Sequence, residues 1–290
     1  SFWWFNKLDD RGPYDLYRSL QEQFRTLRTI ASYGTPFEAN VPHHFAFRGT
    51  DDVSYIVSAF LAAKAAKQAG IKTFILQNML NTPRATWGVQ HLARSRALLH
   101  LIRPLVDQDF QVYLQPRAGL DYFKPDLQEA RIQLAAVTCL MDDIDPHNAS
   151  SPPLIHVVSY SEASHLATPD VVNESIRITQ HSLATYRRAR RSGLIDDMSR
   201  NAEVSDRQDQ LIVGAEQLIH RLERTIPDLY SPEGFYLAFC AGFLPVPYLW
   251  NELEEFEHAV NWQTKLTQGS TQLVDSSGKP LAMGERLAQA

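Results

Sequence analysis

Several side chains able to do chemistry stand where short apolar runs give way to polar residues. In "LIHVVSYSEASHLATPDVV", Leu154 to Val172, the run ends on Tyr160 and Glu162, with His165 close behind. "KTFILQN" ends on Gln77 and Asn78, "FQVYLQ" on Gln115 with Arg117 two residues further, and "HHFAFR" on Arg48. A carboxylate such as Glu162 accepts hydroxyl donors, and guanidiniums such as Arg48 and Arg117 bind carboxylate or phosphate. Each residue also has a structural alternative: Arg48 or Arg117 paired with a carboxylate at a rim, Glu162 capping a neighbouring helix, His165 on a surface loop. The histidines show no H-x-x-x-H pair, so no metal site is expected. No G-x-S-x-G, Walker loop or Rossmann glycine triplet occurs.

These positions gain meaning from the elements that must hold them. Short β-rich runs recur before longer helical patterns, as in parallel βα units, whose functional loops converge at the carboxyl ends of the strands. "HHFAFR" is the first predicted strand; its helix starts at Asp51 or Asp52, shows Val53, Ile56, Phe60 and Ala63 on one face, and stops at Gly70. "KTFILQN" is the second, with a helix through "WGVQHLARSRALLHLIRPL". "FQVYLQ" is the third, and its helix opens at Pro125 and Asp126 with Leu127, Ala130, Leu134, Val137 and Met141 as an apolar stripe. The fourth is "LIHVVSY", followed by a helix capped by Thr168, with Pro169 in the first turn and Val172, Ile176 and Leu183 expected to face inward.

This predicts an α/β protein whose parallel units span residues 1–191, followed by a helical connector and α/β extension over 192–290. Within the latter, "LIVGAEQLIHRLERTI" is an amphipathic helix, "GFYLAFCAGFLPVPYLW" a strand-like core segment, and "LVDSSGKP" a turn between two short strands.

Composition narrows the partners. The 290 residues are 44% hydrophobic and carry a net charge of -5, which leaves no electrostatic footprint for nucleic acid. The run "RRARRSG" reads as a solvated helix end. No apolar segment is long and unbroken enough to span a bilayer, "SFWWFNKLDDRG" lacks the features of a signal peptide, and the two cysteines, Cys139 and Cys240, have no metal spacing. A cytoplasmic location is expected.

Over most of its length the chain resembles the catalytic subunit of glutamate mutase (methylaspartate mutase), the adenosylcobalamin-dependent carbon-skeleton isomerase. "VVSYSEASHLATPDVVNESIRITQHSL" carries the resemblance most fully, and it extends back through "AGLDYFKPDLQEARIQLAAVTCLM", "KQAGIKTFILQNMLN" and "FRGTDDVSYIVSAFLAAK". The tail "YLAFCAGFLPVPY" with "SSGKPLA" is similar to the family's C-terminal segment. The resemblance implies a TIM-type (β/α)₈ barrel of which this chain supplies about half, roughly strands five to eight. It also implies a separate cobalamin-binding subunit and a 5′-deoxyadenosyl radical acting on a small-molecule substrate.

Carried over by position, Glu162 matches the glutamate that receives the adenosyl ribose hydroxyls; Tyr160, Gln77 and Asn78 are further cofactor-binding candidates, and Arg48, Gln115 and Arg117 substrate- or anion-binding candidates. No catalytic residue is assigned. The family lysine near this glutamate falls on or beside Val158 and Ser159, neither an ammonium. The cobalt-ligating D-x-H-x-x-G is echoed only by Asp145 to Ser150, where serine replaces the glycine. A half-barrel exposes two sheet edges and an apolar face, so a companion is expected: a chain with the first half of the barrel, or a second copy. A non-catalytic half-barrel assembly protein, or another small-molecule enzyme binding anions at the strand ends, are the alternatives.

Overall fold

The computed structural model describes residues 1–196 and 198–289. In chain order the elements are α1 (Leu16–Ser32), β1 (Phe37–Glu38), α2 (Pro42–Ala46), α3 (Asp52–Gln68), β2 (Thr73–Leu80), α4 (Gly88–Ile102), β3 (Gln111–Ala118), α5 (Leu127–Asp142), α6 (Pro169–Arg191), α7 (Ala202–Thr225), α8 (Pro232–Cys240), α9 (Glu257–Val260), β4 (Gln263–Thr267), β5 (Ser270–Val274) and α10 (Met283–Gln289). The fold is mixed α/β, with a three-stranded parallel sheet in the order β1-β2-β3 and a separate antiparallel β4-β5 hairpin. Two units form: one of Ser1–Leu76, Ala97–Val112 and Asp209–Ala290, the other of Gln77–Arg96 and Tyr113–Gln208.

Helix starts follow local chemistry. Asp51 caps α3 by accepting from the Val53 and Ser54 amides, and Asp126 caps α5 by accepting from Gln128 and Glu129. Thr168 caps α6 ahead of Pro169, whose missing N–H costs nothing in a first turn. The α5 stripe is buried at Ala130, Leu134, Val137 and Met141.

Three expectations need correction. The predicted first strand, "HHFAFR", is helical over Pro42–Ala46; Pro42 sits at the helix start with its φ preset, and the parallel partner of β2 is instead Phe37–Glu38. The segment "LIHVVSY" makes one parallel bridge, Arg117 to His156, rather than a strand. "GFYLAFCAGF" is helical in α8, capped by Ser231 with Pro232 in its first turn, and ends at Gly242 in the left-handed conformation.

The inward face of α6 is also not the apolar one. Ser175 and Thr179 are buried, whereas Val172 and Ile176 are exposed. Small polar residues allow close approach to α5, and the contact is completed by charge. Arg187 and Arg190 reach Asp142 at 2.6 and 2.5 Å, and Arg190 also reaches Asp143 at 2.8 Å. The Tyr186 hydroxyl donates to Asp143.

Burial raises the Asp143 carboxyl to about 6, against the pull of Tyr186 and Arg190. A carboxyl whose folded pKa lies above its unfolded value binds more protons in the native state. Its contribution to stability is therefore fully present below the unfolded pKa and is lost as pH rises through the folded one. Between about pH 4 and 6, the melting temperature of wild type minus that of Asp143→Asn should fall as pH rises. Parallel melting profiles across that window would refute the assignment.

Candidate functional site

The second unit holds most of the expected site residues: Gln77 and Asn78 within β2, Gln115 and Arg117 within β3, and Tyr160 and Glu162 in the segment after His156. Successive side chains of a strand alternate between faces, so Gln77 and Asn78 of β2 diverge. Gln77 Nε2 donates to Gln115 Oε1 of β3 at 3.4 Å, and Asn78 Nδ2 donates to Ser95 Oγ of α4 at 2.6 Å. Both β2 residues are buried. Arg117 donates from Nε to the Ala118 carbonyl and pairs in the backbone with His156, whose imidazole is held below its usual range by burial and then by the Arg117 charge.

Beyond Leu80 the chain turns sharply. Asn81 is left-handed, its amide donates to His91 Nε2 at 2.7 Å, and the Gly119 amide returns to the Leu80 carbonyl at 2.8 Å. A Cβ on Gly119 would stand 2.2 Å from Thr82 Oγ1, so this crossing requires glycine. Arg94 tethers the turn from below, donating from Nη2 to the Met79 and Thr82 carbonyls at 3.3 Å each. Four buried polar atoms here have no hydrogen-bond partner among the described residues: Asn81 Oδ1, Thr82 Oγ1, Thr86 Oγ1 and Gln90 Oε1. Buried polar atoms normally find partners, and each one left without costs about 1–3 kcal/mol. Sequence reading passed over these residues because their type is ordinary and only their burial distinguishes them.

After the bridge at His156, Val158 and Ser159 are buried and Tyr160 follows. Its hydroxyl donates to Glu174 of α6 and accepts from Arg131 Nη2 at 2.9 Å, with the guanidinium stacked 4.6 Å above the ring. Tyr160 is thereby committed to holding α5 and α6. Glu162 lies one turn on, exposed, and its carboxylate has no partner among the described residues. His165 is exposed in the same loop.

Arg48 belongs to the first unit, at the end of α2, and is 3% exposed. Its Nη1 donates to the His44 carbonyl at 2.9 Å and its Nη2 lies 3.4 Å from Asp9. The guanidinium packs 4.2 Å over Trp4 and 5.6 Å from Trp250. Arg11 shares Asp9 at 2.9 Å and stacks on Phe5. Burial and the two arginines push His44 down to about 3, so its imidazole is neutral at ordinary pH.

Among the described residues no cluster of histidine, cysteine and carboxylate side chains could hold a metal ion, and no helix is long and apolar enough to cross a membrane. Both cysteines are free thiols. The fold defines a mixed α/β protein with a three-stranded parallel sheet. No protein-family model matches the chain, and no curated protein matches its sequence.

Proposed function

We propose that the chain is part of an adenosylcobalamin-dependent carbon-skeleton mutase of the glutamate mutase type, an isomerase acting on an amino acid or similar acid through a 5′-deoxyadenosyl radical. In this reading the sheet is part of a half TIM-type barrel in the cytoplasm. A first-half chain or a second copy completes it, and a separate subunit brings the cobalamin.

The observation that carries the reading is the open carboxylate of Glu162 at the sheet end where the resemblance expects a ribose-binding glutamate. Four buried polar atoms without partners follow β2, three in the loop at Asn81, Thr82 and Thr86 and the fourth at Gln90 in the first turn of α4. The donor set suits the adenosyl group in part. Glu162 is free to accept two vicinal hydroxyls, and the segment from Asn81 to Gln90 has hydroxyl and amide oxygens to offer. Tyr160, Gln77, Asn78 and Gln115 are already hydrogen-bonded within the unit, so their part is to set the walls of the site. Val158 and Ser159 supply no ammonium, and the ribose is held in this reading without one. When bound, the cofactor supplies the radical that removes a substrate hydrogen; the chain's own residues bind, orient and exclude water.

Glu162→Gln should replace a charge-assisted hydrogen bond with a neutral one and leave the exposed loop folded. Turnover should fall roughly ten- to a hundred-fold in the presence of partner chains and adenosylcobalamin. Glu162→Ala should fall further. Equal turnover of wild type and both variants would remove Glu162 from the site, and turnover independent of adenosylcobalamin would end the mutase reading.

A further inference from the structure

Around Arg48, the first unit buries hydrogen-bond donors that have nothing to donate to. Trp4 is fully buried and its Nε1 has no partner; Arg48 Nε and Thr50 Oγ1 are likewise buried without one among the described residues. Indole Nε1–H and guanidinium Nε–H are donors only, so an acceptor is the only group that can satisfy them. The nearby carboxylate cannot serve. Asp9 already accepts from the Phe5 and Asn6 amides at 3.1 and 3.0 Å and pairs with Arg11 and Arg48. Two guanidiniums share that one carboxylate, and neutral His44 adds no charge to them.

The backbone that places these donors is held in an uncommon conformation. Trp3 and Phe5 are left-handed at φ 65 and 64, which costs bulky side chains about 1–3 kcal/mol each. Asp9 and the Asn6 capping box over-determine the turn, and its result is Trp4 laid against Arg48 with Phe5 beside His44. Around this polar centre stands an aromatic rim. Phe5 and Phe47 are 46% exposed, flanking His44 at ring separations of 5.3 and 5.9 Å, and Trp250 is 57% exposed on the other side of Arg48. Buried donors without acceptors therefore stand beside exposed aromatic rings.

We propose that Trp4, Arg48 and Thr50 hold the carboxylate of a small organic acid whose apolar body, aromatic or branched aliphatic, lies against Phe5, Phe47 and Trp250. This site lies wholly in the first unit, and the proposal goes beyond the mutase reading without resting on it.

The test is a titration of the full chain with phenylacetate, with phenethylamine and inorganic phosphate as controls, followed by tryptophan fluorescence and melting temperature. Phenylacetate should change the fluorescence saturably and raise the melting temperature, with a Kd on the order of 1 mM or tighter. Thr50→Val should weaken binding about tenfold while leaving the ligand-free melting temperature unchanged or raised, since it removes a buried hydroxyl that has no partner. A merely structural Thr50 would lower it instead. Trp250→Ala, at an exposed ring, should weaken binding without affecting the fold. Absence of saturable binding at about 10 mM, equal responses to phosphate or phenethylamine, or binding indifferent to both substitutions would each overturn the assignment. No cobalamin or partner chain enters the measurement, so its failure leaves the turnover test of the mutase reading untouched.

Discussion

Asp142→Ala is expected to destabilise the protein by about 3 kcal/mol, at the low end of the cost of breaking a buried ion pair. The Asp142 side chain is fully buried at the end of α5, where one oxygen accepts from Arg187 Nε at 2.7 Å and the other from Arg190 Nη2 at 2.5 Å. Truncation leaves two guanidiniums facing an apolar gap. The cost stays at the low end because both keep other acceptors: Arg187 donates to the Ser151 carbonyl and Arg190 to Asp143. For a chain of this size the loss corresponds to a melting temperature lower by roughly 6–12 °C. Asp142→Asn keeps one acceptor and should cost less. A change under about 1 kcal/mol in denaturant unfolding would mean that Asp143 alone anchors α6. The same two helices carry Arg131 and Glu174, which hold Tyr160 beside the Glu162 loop, so the variant should also loosen that loop.

How far the sequence foretells this arrangement depends on how local the cause is. Asp51, Asp126 and Thr168 are capping residues whose effect is confined to one turn, and each marks its helix within a residue. "KTFILQN" and "FQVYLQ" fall in β2 and β3 from their second residue on, because their apolar runs are bounded by turn residues. "HHFAFR" fails because six residues with alternating apolar character are too few to separate a strand from a helical turn, and Pro42 tips the balance. The α6 face fails for a different reason. Periodicity marks Val172 and Ile176, but Arg187 and Arg190 turn the helix toward buried carboxylates that are near only in the folded chain.

The site is legible to the same degree. Gln77 and Gln115 meet as strand-end residues of neighbouring strands should. The sequence places Arg48 at a strand end, whereas it lies after a helix, against Trp4 from more than 40 positions earlier. Nothing in "SFWWF" announces two left-handed aromatics, since that conformation is imposed by Asp9 and by tertiary packing rather than preferred by the residues.

Arg286→Ala is expected to cost about 3–5 kcal/mol, the largest loss of any substitution considered. Arg286 lies in α10 and is 3% exposed; its Nη1 donates to Asp51 Oδ1 at 3.0 Å, and its Nη2 to Ser54 Oγ at 2.5 Å and to the Phe243 carbonyl at 3.3 Å. It thus joins the C-terminal helix to the capped start of α3, a helix buried on nearly every side. Without the guanidinium, the buried Asp51 carboxylate keeps its Val53 and Ser54 amide donors and the favourable end of the helix dipole, so α3 should survive. The seven residues of α10 would lose their buried polar anchor, and protease cleavage near Met283 should appear well before global unfolding. Arg286→Lys should recover only part of the loss, because one ammonium cannot reproduce the forked donation to Asp51 and Phe243. A variant with unchanged unfolding free energy and unchanged protease resistance would show that α10 is held by its apolar contacts instead.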